Sequence, residues 1–318
     1  MFDKKTINIF GRDAILVSGL INYSLRDTLE CGQCFRHVCV RDEDGYVEYM
    51  TVVKGKLIFV GQRNEGELIF YSVTDEELEN ICVPYFALDT DYDEIVRDIE
   101  AHTSSEFLLS AARAARGIRI LRQEPWEALF SFIVSQNNNI PRIKKIIRAI
   151  CREYGDNLAV REGLSLCPLD AAAAEAKLDT DKCLSCGMCY SFPTAEAVAA
   201  APELLLPSHP GFRFKYLLDA AERVASGDID LSAISDAASY EYTLAQLMRI
   251  KGVGEKVASC TALFGFGNLE AFPIDVWMKR AIDTYFDGKL DHTSLGKYAG
   301  VAQQYIFHYI RMLSDKNA

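Results

Sequence analysis

Two kinds of periodicity divide this chain. Up to about residue 115, short β-branched and aromatic runs such as Leu57-Ile58-Phe59-Val60 and residues 67–73 alternate with Gly45, Gly55 and Gly61. Runs of this length between glycine turns predict an antiparallel sheet built from hairpins. A helix is expected near residues 91–109, where Tyr92, Ile95, Val96, Ile99 and then Phe107 and Leu108 recur at helical spacing. From about residue 116 the period is helical. Pro125 opens an apolar segment, as proline does at a helix start, and Ile143, Ile146, Ile147 and Ile150 line one side of the next. Further helices are predicted over 194–201, 214–225, 240–250, 256–264, 275–285 and 298–313. The fold class is therefore α+β. A β-rich N-terminal domain over residues 1–115 precedes a helical domain over 116–318, with a helix–hairpin–helix at 240–264.

Composition narrows the setting. The 318 residues are 49% hydrophobic and 25% charged, with a mean hydropathy of +0.01, as in a soluble globular protein. No apolar run approaches the ~18 residues of a membrane span. A monomer in the cytoplasm (on the nucleoid, in a bacterium) with no membrane partner is expected. The net charge of −11 and pI of about 5.0 argue against a uniformly basic nucleic-acid binder. Basic and polar residues nevertheless gather at 137–148 and 249–256, while acids crowd 75–100. A small cationic face on an acidic body, binding in a salt-dependent way, is the expectation.

The chemistry concentrates around Gly252-Val253-Gly254, where one predicted helix stops and the next starts, with Lys256 just beyond and Asp275 following Pro273-Ile274. Glycines in such a turn permit positive φ and let an anion approach backbone N–H groups at a helix start. Each part also has a plain reading: an αα-corner, a solvated lysine, a helix N-cap. Together, with this spacing, they resemble the helix–hairpin–helix superfamily of base-excision DNA glycosylases. A lysine at this position marks the members that also cut the strand. The resemblance implies that Lys256 attacks the sugar C1′ as a neutral amine, forming a Schiff base, while Asp275 stabilises the oxocarbenium-like sugar.

Residues along most of the chain narrow the resemblance to the 8-oxoguanine DNA glycosylase/AP lyases, with their TBP-like N-terminal domain. Gly32-Gln33-Cys34-Phe35-Arg36 looks like the family's Gly-Gln-x-Phe-Arg loop. In that family the glycine carbonyl accepts the N7–H that 8-oxoguanine has and guanine lacks. Lys256 and Cys260 are one helical turn apart, as are Gln303 and Phe307. By resemblance, Cys260 and Phe307 sandwich the extruded base and Gln303 bonds its Watson–Crick edge. Asn137, Arg142, Phe212 and Arg213 are implied to fill the gap, wedge the duplex and contact the orphaned cytosine, with Gly252 and Gly254 on the backbone. Trp277 stands where many members carry histidine, and Ser259 where eukaryotic relatives carry an acid.

No cofactor is required by this chemistry, and no metal ligand is assigned to it. Among the ten cysteines, Cys183, Cys186 and Cys189 have a spacing seen in ferredoxin loops, but Pro193 stands where a fourth ligand would be. Cys167 could complete a structural zinc or iron–sulfur site, with unliganded thiols as the alternative. The implied partner is double-stranded DNA containing 8-oxoguanine. Two other functions fit part of the pattern: an alkylated-base glycosylase of the same superfamily, which uses the aspartate without the lysine, and a non-catalytic helix–hairpin–helix DNA-binding protein.

Overall fold

The computed structural model describes residues 2–161 and 187–316. Six strands form one antiparallel sheet: β1 (Asp3–Ile9), β2 (Arg12–Ser18), β3 (His37–Glu43), β4 (Tyr46–Val53), β5 (Lys56–Gln62) and β6 (Glu67–Tyr71), in spatial order β1-β2-β6-β5-β4-β3. Three hairpins turn on two residues, Phe10-Gly11, Asp44-Gly45 and Lys54-Gly55, and both residues of each pair have positive φ. That backbone matches the right-handed twist of the flanking strands. Gly61, expected at a turn, instead lies within β5, where a Cβ would run into the Tyr46 ring.

The sheet buries both faces. Val17, Tyr49, Val60, Leu68 and Phe70 pack on Leu25 and Leu29 of helix α1 (Leu25–Glu30) and on Leu78, Cys82 and Phe86. A separate group joins Val40, Met50, Val52 and Leu57 to Leu158, Met188 and Cys189. Cys189 is thus buried among apolar side chains, while Cys167, Cys183 and Cys186 lie outside the described residues.

Among the described residues the remaining α-helices of six residues or more are α2 (Tyr92–Ala101), α3 (Glu106–Ala114), α4 (Pro125–Ser135), α5 (Ile140–Tyr154), α6 (Ala195–Ala200), α7 (Phe214–Ala225), α8 (Leu231–Ala237), α9 (Tyr240–Leu247), α10 (Glu255–Gly265), α11 (Val276–Tyr285) and α12 (Ala299–Lys316). The single helix expected near 91–109 is two. Ser105 caps the second by accepting the Leu108 N–H, and a serine side chain bonded to backbone in this way favours a fresh start over continuation. Both α2 and α3 contribute to the large helical core, with Ile95, Ile99, Leu108 and Ala111 beside Phe130, Ile147 and Ile306.

The sheet side and the helical core are joined through the loop before β3. Phe35 enters the helical core, edge-on to Phe132 at 5.9 Å between ring centroids. Arg36, 4% exposed, pairs with Glu127 of α4 at 3.0 Å and donates to the Tyr190 carbonyl. Removing one member of a buried pair strands the other without a counter-charge. Arg36→Met should therefore lower unfolding stability by about 3 kcal/mol or more, measured by denaturant titration. A loss below ~1 kcal/mol would mean that this pair is not structurally important.

Candidate active site

The helix–hairpin–helix is built as its glycines require. Gly252 has φ +80, and a Cβ there would run into the Tyr216 ring of α7. Val253 is buried in the core. Gly254 is the exposed N-cap of α10 and supplies no side-chain cap, so the first-turn N–H groups have no side-chain acceptor from it. An anion is the natural acceptor at such a terminus.

From Val257 to Phe264 every residue of α10 is buried. Its far end comes against α4, where a Cβ on Gly265 would sit 3.0 Å from the Ala128 Cβ. This packing fixes the rotation of α10 and with it the direction of Lys256 in the first turn. Lys256 is half-buried, its Nζ 5.4 Å from the centre of the Phe132 ring. Phe132 in turn stacks on Phe264 at 5.4 Å.

Lys256, Cys260 and Asp275 converge. The Cys260 thiol lies above its ordinary range because it is buried. The Lys256 ammonium pulls it down, and the Asp275 carboxylate pushes it up. Asp275 is half-exposed at the N-cap of α11, where Oδ1 accepts the Met278 N–H at 2.9 Å. That bond orients the carboxylate. Lys256 and Cys260 come from α10 and Asp275 from the N-cap of α11, so the hairpin and the loop after it bring an amine and a carboxylate to the same thiol.

Helix α12 packs against α10. A Cβ on its Gly300 would come within 2.6 Å of Leu263 of α10, so the two helices touch at a residue without a side chain. Gln303 is 4% exposed, and its Oε1 is buried with no hydrogen-bond partner among the described residues. An unpaired buried amide oxygen costs free energy unless something fills it. Phe307, one turn on, lies beside Gly32: a Cβ on Gly32 would be 3.6 Å from the Phe307 ring and 3.8 Å from Arg311. Gly32 has φ +88, and the loop that carries it reaches α12 from the sheet side.

The polar run after α4 makes a second group. Asn137 is exposed in a left-handed conformation, φ +46; Asn138 donates to the Val134 carbonyl; Asn139 caps α5. Arg142 is exposed. Phe212 is 49% exposed, whereas Arg213 beside it is 2% exposed. The Arg213 guanidinium donates to the carbonyls of Gln136, Asn137 and Pro210. In this conformation Arg213 holds the Asn137 turn from behind and Phe212 projects. Trp277 is half-buried with the Arg280 guanidinium 5.8 Å from its ring. Ser259 bonds the Tyr240 hydroxyl at 3.0 Å.

Gln136 was not singled out by the sequence. Its Nε2 donates to the Gly252 carbonyl at 2.7 Å while its own carbonyl accepts from Arg213. It ties the hairpin, the asparagine turn and the Phe212 segment together. A glutamine at a helix end carries no signal of this, because both partners are distant in sequence.

Comparison with known proteins matches this geometry. The family profile for the 8-oxoguanine DNA glycosylase N-terminal domain matches residues 15–129. The solved structure of MBOgg1 in complex with a low-affinity DNA ligand is similar at 31% identity and a TM-score of 0.79, over 99% of each chain. The 8-oxoguanine glycosylase/lyase of Clostridium acetobutylicum, in complex with double-stranded DNA containing cytosine opposite 8-oxoG, is similar at 30% identity and a TM-score of 0.79. That match covers 99% of this chain and 98% of the other. An N-glycosylase/DNA lyase of Saccharomyces cerevisiae is 29% identical over 290 residues, which is 85% of this chain and 69% of the yeast protein. With a six-stranded sheet, a helix–hairpin–helix carrying a lysine and an aspartate, and likeness of this extent, the chain belongs to the 8-oxoguanine DNA glycosylase/AP lyases of the helix–hairpin–helix superfamily.

Proposed function

We infer that this protein is a bifunctional DNA glycosylase/AP lyase that excises 8-oxoguanine paired with cytosine in duplex DNA. The observation that carries the reading is that Lys256 and Asp275 both act on the buried Cys260 thiol, together with a buried amide oxygen, Gln303 Oε1, that has no partner among the described residues. A purely DNA-binding hairpin needs neither. An alkylated-base enzyme has no use for the lysine.

In this reading the hairpin binds the DNA backbone through the N–H groups around Gly252 and Gly254. Phe212 wedges the duplex, Asn137 occupies the space left by the extruded nucleotide, and Arg142, with Arg213 released from its carbonyls, contacts the orphaned cytosine. Extrusion costs a few kcal/mol, which these contacts offset. The base then lies between Cys260 and Phe307, with Gln303 on its Watson–Crick edge and the Gly32 carbonyl accepting N7–H. Guanine N7 is an acceptor and would face that carbonyl lone pair to lone pair. Lys256 Nζ forms the bond to C1′ as the bond to the base breaks. Asp275 stabilises the positive charge that develops on the sugar. Nζ then loses a proton as the C1′–O4′ bond opens, leaving an imine that acidifies the neighbouring C2′ protons, and β-elimination expels the 3′ phosphate and opens the strand. The reaction needs no cofactor. A structural zinc or iron–sulfur site on Cys183, Cys186, Cys189 and Cys167 is a separate proposal, read out by the metal content of the purified protein.

Borohydride added during reaction with an 8-oxoguanine:cytosine duplex should trap a covalent protein–DNA adduct, and Lys256→Gln should abolish it. An undiminished adduct in that variant would remove Lys256 from the chemistry. Asp275→Asn should retain duplex binding but slow base release by roughly 100-fold or more, the scale on which a single charge-stabilising group acts. Single-turnover release within a factor of about three of the native rate would contradict the role given to Asp275.

A further inference from the structure

The carbonyl that distinguishes 8-oxoguanine from guanine belongs to a glycine, and a glycine has no side chain with which to hold its own peptide plane. Something else must fix it. Its two neighbouring carbonyls are both held by buried glutamines. Gln304 of α12, 3% exposed, donates from Nε2 to the Cys31 carbonyl at 3.1 Å. Gln123, 9% exposed, donates from Nε2 to the Gln33 carbonyl at 2.7 Å. Gln33 itself is clamped, its amide bonding Thr28 O and Arg119 O and accepting the Leu121 N–H. Among the described residues no donor is directed at the Gly32 carbonyl between them.

With the planes on either side pinned, the Gly32–Gln33 peptide can turn over only by rotating ψ of Gly32 against φ of Gln33. Gln33 has negative φ, and a half-turn would carry it into the left-handed region, which a glutamine rarely adopts. The two tethers also set where the carbonyl stands. Gln304 follows Gln303 on α12, so one helix carries both the reader of the Watson–Crick edge and the tether of the loop that reads N7. The Gln123 backbone N–H donates to the Phe264 carbonyl at the end of α10, the helix that carries Lys256. The loop is therefore registered against both helices of the pocket.

We infer that Gln304 and Gln123 are specificity-determining positioning residues: they touch no base, and they hold the Gly32 carbonyl where it accepts N7–H of the oxidised purine. This rests on the reading of the site given above, and the test separates the two. In the full chain carrying Lys256→Gln, which leaves substrate unprocessed, dissociation constants are measured for three duplexes with cytosine opposite 8-oxoguanine, guanine or a tetrahydrofuran abasic analogue. If this parent chain does not prefer 8-oxoguanine to guanine, the functional reading fails. If it does, adding Gln304→Met should cut the preference about tenfold, the scale of one lost hydrogen bond. Binding to the guanine and abasic-analogue duplexes should change less than about twofold, because neither offers N7–H. An unchanged preference overturns the inference, and so does an equal weakening on all three duplexes, which is the mark of support to the fold alone. A Gln304→Met chain too unstable to bind the abasic analogue passes the decision to Gln123→Met, judged by the same two outcomes.

Discussion

The direction of Lys256 depends on how closely helix α10 packs against α4. Eight consecutive residues of α10 are buried, so the helix has no solvent face along most of its length and cannot rotate without opening the core. Dense interiors resist even a methylene's displacement. The absence of a side chain at Gly265 lets the two backbones approach, and Phe132 fills the space beneath Lys256. The lysine is thus aimed by a core. The turn before it is held separately, by Tyr216 against Gly252 and by Gln136 on the Gly252 carbonyl.

The Gly32 loop is assembled differently. Gly32 sits in a loop between α1 and β3, on the sheet side of the molecule, and reaches Phe307 on the last helix. Buried polar contacts carry that junction: Arg36 with Glu127, the clamped amide of Gln33, and the Phe35 ring against Phe132. Satisfied buried networks fix geometry more sharply than apolar contact does, because each bond has a direction.

Much of this was legible in the chain. The 214–225 helix has the bounds its spacing predicts. The residue–glycine pairs at 44–45 and 54–55 turn as hairpins because glycine is the cheapest residue at positive φ. The lysine–cysteine and glutamine–phenylalanine spacings place each pair one turn apart on its helix. Periodicity could not show that α2 and α3 join the helical core instead of lying beneath the sheet, since an amphipathic face does not name its partner. Nor could it separate Gly61, which makes room for Tyr46, from a glycine that makes a turn. The burial of Arg213 was equally hidden. Its three carbonyl acceptors are supplied by the tertiary fold, and an arginine beside an exposed phenylalanine reads from sequence as a surface residue.

The central claim is that one amine, set by the packing of α10, forms the covalent bond to the sugar. Peptide mass mapping of the borohydride-reduced protein–DNA adduct tests it most directly. A single modified position, Lys256, is expected. Modification at Lys251, at the N-terminal amine, or spread over several lysines would contradict it.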